Sequence, residues 1–190
     1  YAPFFEMIEG QKMDLHHKPL DTEEELLNYC YLVAGTVGLM LIPILSKENH
    51  PLLKSFAIDL GYAMQITNIL RDIGEDYKNQ RIYLPKTMMD QANYSLEDLS
   101  FGKISTEFIS VFEDLAKKAE VYYQSALNQL HLFDSEVRIP LGMSIILYRE
   151  IIQTCRQANY DVFTRKNYVS DERKHELIKA FMKTQSEEMS

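Results

Sequence analysis

The sequence predicts an all-α fold, and three of its features carry this prediction. Apolar side chains recur at helical spacing along most of the chain, and no stretch alternates apolar and polar residues as a half-buried strand does. Glycine and proline, which interrupt helices, number only seven and six among the 190 residues. Hydrophobic residues make up 46% of the chain, so residues 1–190 can bury a sizeable core as a single domain.

Three helices are predicted in the first half of the chain. The first covers residues 4–15, and its apolar face consists of Phe4, Phe5, Met7 and Ile8. Asp21 and Thr22 then provide an N-cap for the next helix. The three glutamates that follow suit the positive end of its dipole. The second helix covers residues 26–45. A turn with Asn49 and Pro51 separates it from the third, which covers residues 52–77.

The second half begins with a segment over residues 81–93 that is predicted to be irregular. Ser95, just after this segment, can cap a single helical turn. Apolar residues at helical spacing predict a helix over residues 106–133. Pro140 marks the start of another helix, over residues 139–163. Ser170 caps a final, strongly polar helix.

Charge and cysteine usage limit the class of function. The formal net charge of −8 argues against nucleic acid as a partner, because binding to phosphate backbones needs a net basic face. An anionic ligand must therefore be held locally, by metal ions or by a few arginines and lysines. Cys30 and Cys155 lie in apolar helical patterns and form no CxxC pair, which predicts buried thiols in a reducing compartment, the cytoplasm. Their pairing across the fold stays open.

The helix over residues 26–45 contains no charged residue, and this raises the alternative of a membrane span. Several small or polar residues and an acidic N-terminal flank argue against a span and favour a fully buried helix in the bundle interior. Ala34, Gly35 and Gly38 would leave room beside this helix. An apolar wall would be formed by Val33, Val37 and Leu41. This combination suits a long hydrocarbon ligand, and tight packing of helices is an equally compatible explanation.

The stretch QITNILRDIGED, residues 65–76, carries the chemistry. On a helix, four of its polar side chains fall within an arc of about 80°: Gln65, Asn68, Asp72 and Asp76. Asp72 and Asp76 are like charges one turn apart, so they repel each other unless a cation lies between them. Two carboxylates and an amide oxygen are ligands that Mg²⁺ accepts while it bridges to phosphates. A solvated acidic stripe, neutralised by Arg71 and Lys78, is the alternative.

Four segments in order resemble one known family. They are IEGQKMDL (residues 8–15), YCYLVAGTVG (29–38), GYAMQITNILRDIGEDYKNQRIYLP (61–85) and RQANYDVF (156–163). Together they resemble the squalene and phytoene synthase family, and within it most of all the bacterial dehydrosqualene (diapophytoene) synthases. The resemblance implies an isoprenoid synthase helical bundle around a central apolar cavity. It also implies a Mg²⁺-dependent, head-to-head condensation of two prenyl diphosphates through a cyclopropylcarbinyl diphosphate, in carotenoid biosynthesis.

Within this family, the expected reaction is the conversion of farnesyl diphosphate to dehydrosqualene. The alternatives are a phytoene synthase that uses geranylgeranyl diphosphate, a squalene synthase that reduces its intermediate with NADPH, and a non-catalytic assembly module of the same fold. A module would have no need of the QITNILRDIGED polar face, and the polar residues after Ser170 differ from the membrane anchor of eukaryotic squalene synthases. An enzyme that releases an insoluble hydrocarbon is also compatible with peripheral membrane contact.

The resemblance assigns roles to individual residues. The expected Mg²⁺ ligands are Asn68, Asp72 and Asp76. The expected diphosphate contacts are Gln65, Arg71, Tyr148 and Arg165. Tyr29 matches a catalytic tyrosine that lines the cavity near the reacting carbons, and Asp72 and Asp76 are the expected catalytic acids. Hydrocarbon contacts fall to the wall formed by Val33, Val37 and Leu41.

The departure from the family lies at the front. Family members carry another aspartate-rich motif, a diphosphate-binding arginine and a substrate loop ahead of the matched region, and this chain, which opens at Tyr1, does not contain them. We therefore expect the chain to be the C-terminal portion of a longer enzyme, with N-terminal helices missing. The N-terminal part is then a partner of this portion, and the chain alone is expected to bind Mg²⁺-diphosphate weakly and to be inactive.

Overall fold

The computed structural model describes residues 1–46 and 51–188, and every regular element in these ranges is a helix. The α-helices are α1 (Ala2–Leu15), α2 (Glu23–Cys30), α3 (Thr36–Leu45), α4 (Leu52–Lys78), α5 (Lys86–Gln91), α6 (Leu96–Ser100), α7 (Thr106–Asn128), α8 (Ser135–Gln157) and α9 (Asp171–Glu188). The predicted all-α fold is thus confirmed. Asn49, in the turn predicted before α4, lies outside the described residues.

Helix α4 is the central element, because it packs against α2, α3, α7 and α8. Its predicted apolar face is buried at Ile66, Leu70 and Ile73. Burial of each such side chain stabilises the fold by about 1.5–3 kcal/mol. On the side facing α7, the buried Thr67 hydroxyl lies 2.9 Å from the Tyr123 hydroxyl and donates to the Ala63 carbonyl. This packing fixes which face of α4 is left for polar chemistry.

Helices α2 and α3 form one continuous rod, joined by a π-helical turn at Tyr31–Gly35. Thr22 begins it with a capping box, which confirms the predicted N-cap. A Cβ atom on Gly61 would lie 2.5 Å from the Gly35 nitrogen, and one on Gly38 would lie 2.8 Å from the Ala57 carbonyl. Gly38 and Gly61 therefore permit the close approach of α3 and α4, which agrees with the packing explanation for Gly38, whereas a Cβ atom on Gly35 would meet the Tyr31 ring at 3.1 Å.

The prediction that this rod is fully buried is wrong. Val37 is 39%, Leu41 43% and Ile44 78% exposed. The rod over residues 23–45 is long and apolar enough to cross a membrane, and 22% of its most apolar window is buried. Helices of soluble cores satisfy the same criterion. The apolar face predicted for α1 is also largely exposed, at Phe4 (48%) and Phe5 (64%). Both helices therefore leave apolar side chains exposed.

Several predicted boundaries differ from the structure. Helix α5 forms within the segment predicted to be irregular, where Pro85 precedes it and Lys86 pairs with Asp90 one turn later. Helix α7 ends at Asn128 and a 3₁₀ turn follows at Leu130–Leu132, so the predicted end at residue 133 is too late.

Helix α8 also differs at both ends. It begins at Ser135, and Pro140 lies inside it. It ends at Gln157 because Asn159 and Tyr160 adopt positive φ angles, 53° and 60°, which a helix cannot contain. The predicted end at residue 163 is therefore wrong.

Other predictions on local structure are confirmed. Ser95 and Ser170 accept hydrogen bonds from the backbone of the turns that they cap. Cys30 and Cys155 are buried and unpaired, as predicted for structural thiols. Burial raises the pKa of the Cys155 thiol to about 11, so it stays protonated at neutral pH.

Candidate active site

The polar face of α4 joins two hollows. Gln65 and Asn68 line an apolar cavity, and Arg71 and Asp72, one turn further along the helix, line a polar cleft. Asp76 is half-buried beyond them. The side-chain surface of Asp72 is 17% exposed, so the alternative of a solvated acidic stripe does not describe it.

The apolar cavity lies between α3, α4 and α8 and has a volume of about 390 Å³. Small-molecule sites typically enclose about 300–1,000 Å³. Val33, Val37 and Leu41, the predicted wall, line one side of it. The opposite side is formed by Leu60 and Met64 of α4 and by Leu141 and Ile145 of α8. The partial exposure of Val37 and Leu41 shows that the cavity is open along α3.

Tyr148 connects the cavity to the polar face of α4. Its hydroxyl donates a 3.0 Å hydrogen bond to Asn68 Oδ1, and Asn68 Nδ2 lies 3.5 Å from Gln65 Oε1. Interaction with Tyr148 also contributes to the raised pKa of Arg71, after the larger effect of Asp72. The predicted contacts Gln65, Asn68, Arg71 and Tyr148 are therefore brought together at the mouth of the cavity.

The polar cleft has a volume of about 190 Å³ and is rich in cations. Four basic side chains line it: Arg71, Lys78, Arg165 and Lys166. Arg71 Nε donates to Asp72 Oδ1 at 2.8 Å and Nη2 to Asp72 Oδ2 at 2.5 Å, a two-pronged ion pair. Lys166 Nζ lies 3.6 Å from Asp72 Oδ1 and 2.8 Å from Glu75 Oε2. Such a cleft can receive an anion with several negative oxygens.

The loop after α8 carries two of these cations, and α4 holds it in place. The Gly74 amide donates to the Val162 carbonyl at 3.2 Å. A Cβ atom at Gly74 would lie 2.5 Å from Phe163 Cα, so only glycine permits this approach. Asp161 accepts hydrogen bonds from the Phe163 and Thr164 amides, which shapes the turn before Arg165. The loop thereby delivers Arg165 and Lys166 to the cleft.

The Asp76 carboxyl is electrostatically strained. Burial first, and then the charges of Asp72, Glu75 and Asp14, raise its pKa to about 6, although Arg81 partly offsets them. A cation beside Asp76 would relieve both the burial and the repulsion from Asp72.

The donor set suits magnesium. Asn68, Asp72 and Asp76 offer only oxygen atoms, and Mg²⁺ prefers oxygen ligands, of which several are usually water or phosphate. Among the described residues, no cluster of three or more histidine, cysteine, aspartate or glutamate side chains could hold a metal. A magnesium ion here would therefore need further oxygen ligands, and Arg71 would have to share Asp72 with it.

Tyr29 lies apart from the apolar cavity that Val33, Val37 and Leu41 line. It is buried in α2, outside the lining of the apolar cavity, and it borders a separate hollow of about 520 Å³ beside α1 and α2. Its hydroxyl donates to Asp14 Oδ1 at 2.9 Å, and its ring stacks on Tyr83. Asp76 and Tyr83 border a common small gap, so Tyr29 lies near the far end of the acidic face.

Comparison with known proteins adds to this geometry. A family model described as squalene/phytoene synthase matches residues 2–173. The chain belongs to the squalene/phytoene synthase family. It is 41% identical over 183 residues to the 15-cis-phytoene synthase of Synechococcus elongatus, covering 90% of this chain and 59% of the relative. It is 36% identical over 184 residues to the 4,4'-diapophytoene synthase of Staphylococcus haemolyticus, covering 96% of this chain and 64% of the relative.

Solved structures place the fold in the same family. A crystal structure of a dehydrosqualene synthase in complex with ligand matches with a TM-score of 0.89 and 39% identity. That match covers 96% of this chain and 65% of the solved chain. The isoprenoid synthase helical fold implied by the resemblance is thus confirmed. This squalene/phytoene synthase family member spans 59% and 64% of the lengths of the two relatives above.

The squalene/phytoene synthase site contains residues that the sequence did not single out. Lys166, rather than Lys78, neutralises the acids, while Lys78 Nζ lies 3.3 Å from the Phe163 carbonyl oxygen. Asp14 and Tyr83 hold Tyr29. Asp14 lies in IEGQKMDL and Tyr83 in RIYLP, two stretches that carried the family resemblance. Their place in these stretches could have identified them from the sequence.

Proposed function

We propose that the full-length protein containing this chain condenses two prenyl diphosphates head to head, in a Mg²⁺-dependent reaction of carotenoid biosynthesis. Farnesyl diphosphate is the proposed substrate and dehydrosqualene the product. The observation that carries this proposal is the polar face of α4, where an apolar cavity that Asn68 lines and a cationic cleft that Arg71 and Asp72 line lie one helical turn apart. A prenyl diphosphate has the same division into an apolar chain and an anionic head.

The cleft would bind the diphosphate head. Arg71 and Arg165 supply the planar guanidinium groups that match phosphate oxygens, and Lys166 adds a third positive charge. Asn68, Asp72 and Asp76 would hold Mg²⁺, which acts as a Lewis acid and stabilises the departing diphosphate. Arg71 contacts Asp72 in the structure. When Mg²⁺ binds Asp72, the Arg71 guanidinium group would pair with the diphosphate instead.

The apolar cavity would hold the hydrocarbon chain. Val33, Val37 and Leu41 on one side and Ile145 on the other offer no polar group to a carbocation. Exclusion of water prevents capture of a carbocation as an alcohol. Gln65 and Tyr148, at the mouth, are then placed beside the carbon that carries the diphosphate.

A phytoene synthase that uses geranylgeranyl diphosphate is the second candidate. The relative that is 41% identical is named 15-cis-phytoene synthase, whereas the one named 4,4'-diapophytoene synthase is 36% identical. The two candidates use the same site chemistry and differ in the length of the chain that the cavity must accept. A non-catalytic assembly module would have no use for the acids and cations gathered on α4.

Product analysis tests the proposal. The full-length protein is incubated with Mg²⁺ and either farnesyl or geranylgeranyl diphosphate, with and without NADPH, and the hydrocarbon is identified by mass spectrometry. We expect dehydrosqualene from farnesyl diphosphate whether or not NADPH is present. Phytoene alone would support the second candidate, squalene would indicate reduction, and absence of any hydrocarbon would contradict the enzyme proposal. Residues 1–190 alone, assayed in parallel, are expected to form no product.

Substitutions of the acids test the assignment of the site in the same assay. Asp72→Asn and Asp76→Asn are each expected to reduce turnover by at least about 100-fold, because each removes a negative ligand from the proposed metal site. Asp114→Asn, an exposed acid on α7, is the control and should leave turnover unchanged. Undiminished turnover of either active-site variant would mean that the metal assignment is wrong.

A further inference from the structure

An acid that the proposed mechanism does not use holds the Tyr29 hydroxyl. Asp14, at the end of α1, accepts a 2.9 Å hydrogen bond from Tyr29 and a 2.7 Å hydrogen bond from Tyr83, both at Oδ1. The two tyrosine rings stack with centroids 4.8 Å apart and planes 22° apart. One carboxylate oxygen therefore joins α1, α2 and the segment that follows α4.

The surroundings keep this arrangement in place. The His17 ring packs edge-on against Tyr83 at 4.9 Å, and His17 Nε2 accepts a 2.9 Å hydrogen bond from the Ile82 amide. Beyond Tyr83, the Lys86 amide donates to the Leu20 carbonyl at 2.9 Å. The loop after α1 thus holds the backbone on both sides of Tyr83 in place relative to Asp14.

We propose that Asp14 and Tyr83 are positioning residues, which fix the Tyr29 phenol in one orientation with its hydroxyl hydrogen committed to Asp14. This inference rests on the proposed function together with the catalytic role that the family resemblance implies for Tyr29, which stacks on Tyr83 near the far end of the acidic face of α4. With its hydrogen directed to Asp14, Tyr29 presents only its oxygen lone pairs and ring to a ligand. Burial, with the neighbouring Tyr83 and Asp14, raises the pKa of Tyr29 well above its ordinary range, so Tyr29 acts as a neutral phenol.

A second effect of Asp14 has to be separated from this one. Its charge also contributes to the raised pKa of Asp76, so its loss could alter the metal site without any role for Tyr29. Two isosteric substitutions distinguish the effects. Asp14→Asn removes the charge and keeps an oxygen acceptor for the tyrosines, whereas Asp14→Leu removes both. A pure charge effect predicts equal losses for the two variants, and positioning predicts a larger loss for Leu.

The experiment measures kcat and KM for the prenyl diphosphate with the full-length protein. Misplacement of a catalytic group by about 1 Å can cost on the order of 100-fold in rate, so we expect kcat of Asp14→Leu to fall by that order and kcat of Asp14→Asn by about tenfold. KM should change less than twofold, because Tyr29 is assigned to the reacting carbons. Tyr83→Phe, which keeps the stacked ring, should lower kcat less than Asp14→Leu does.

A double-mutant cycle shows whether Asp14 acts through Tyr29. If it does, the difference in kcat between Asp14→Asn and Asp14→Leu disappears in a Tyr29→Phe background, because only the loss of charge, which both variants share, remains. The control is Tyr94→Phe, which removes a buried tyrosine hydroxyl that donates to the Lys103 carbonyl and lines neither the cavity nor the cleft, and it should leave kcat unchanged.

Three results would overturn the inference while the wild-type protein is active: equal losses for Asp14→Asn and Asp14→Leu, a difference between these two variants that persists in the Tyr29→Phe background, or a change confined to KM. If Asp14→Leu does not fold, the cycle of Tyr83→Phe with Tyr29→Phe decides, because neither substitution removes a charge. An inactive wild-type protein would overturn the proposed function instead. In that case the same cycle, measured on the free energy of unfolding, supports the hydrogen bond if the two substitutions are coupled and overturns it if they are additive.

Discussion

At the scale of the residue, Asp76 carries the clearest electrostatic signal. Its pKa is raised from 3.8 to about 6, so the folded state favours the protonated acid. The contribution of Asp76 to the free energy of unfolding therefore falls as the pH rises from about 4 through about 6, where the folded protein must ionise this half-buried carboxyl. If Asp76 is a metal ligand, as we propose, its raised pKa in the absence of metal is expected, because a bound cation would stabilise the ionised carboxylate.

This strain predicts the stability of Asp76→Asn. Without divalent cations at pH 7, the variant should be more stable than the wild type by on the order of 1 kcal/mol, after allowance for solvent screening. At pH 4 the difference should vanish, because Asp76 is then protonated in the folded protein. Chemical denaturation of both proteins at the two pH values measures the effect.

Magnesium provides the second half of this test. Addition of Mg²⁺ should raise the melting temperature of the wild type more than that of Asp76→Asn, because the ion binds the native carboxylates. Asp114→Asn is the control and should behave as the wild type in both measurements. An Asp76→Asn protein that is less stable than the wild type at pH 7, or that gains as much from Mg²⁺, would contradict the account.

The polar face of α4 could be predicted at this scale because helical spacing alone sets which side chains share an arc. The partners of Asp72 could not. Arg71 is adjacent to Asp72 in sequence, and the side chains of adjacent helical residues point in different directions. Their pairing depends on the conformation of the long arginine side chain, which helical spacing does not specify. Lys166 lies far along the chain, so its contact exists only once α8 and the loop after it are placed.

At the scale of the element, the approach of the loop after α8 to Gly74 determines the shape of the cleft. We expect Gly74→Ala to destabilise the protein by about 1–3 kcal/mol, because its methyl group would overlap backbone atoms of Val162 and Phe163. The displaced loop carries Arg165 and Lys166, so KM for the prenyl diphosphate should rise. Denaturation curves and steady-state kinetics measure the two effects.

Gly35→Ala is the matched control for this variant. Its added Cβ would meet the Tyr31 ring at 3.1 Å and no backbone atom closer than 3.8 Å, outside the cleft. It should cost less stability and leave KM unchanged. An unchanged KM in Gly74→Ala, with a protein that still folds, would show that the loop does not contact the substrate.

The elements themselves were largely predictable, since capping residues and apolar periodicity identify helices from local sequence alone. The ends of α7 and α8 were not. Apolar residues continue past both helix ends, because Phe133 and Val162 are buried in the core although they lie outside the helices. The positive φ angles of Asn159 and Tyr160 that end α8 belong to a local turn in which the Tyr160 amide donates to the Cys155 carbonyl, and apolar periodicity does not record such a turn.

At the scale of the whole molecule, the apolar cavity is open along α3. The relatives are longer than this chain, which covers 59% and 64% of two of them. We expect the remaining part of the full-length protein to cover Val37, Leu41 and Ile44. Amide hydrogen exchange over residues 36–45 should therefore be slower in the full-length protein than in residues 1–190 alone, while α7 exchanges equally in both.

Equal exchange of residues 36–45 in the two proteins would contradict this expectation. The sequence predicted a fully buried helix here, because its composition matches a bundle interior. Composition shows that a helix surface is apolar, whereas the burial of that surface depends on the elements that surround it. In the structure of this chain, the elements around α3 leave that side uncovered.

The account depends on one claim, that α4 joins a metal-diphosphate site to a hydrocarbon cavity. The most direct measurement is a crystal structure of the full-length protein with Mn²⁺ in place of Mg²⁺ and an unreactive thiodiphosphate analogue of farnesyl diphosphate. We expect anomalous scattering from manganese bound to Asn68, Asp72 and Asp76, with the farnesyl chain between Val33 and Tyr148. Manganese bound elsewhere, or a farnesyl chain outside the cavity, would contradict the claim.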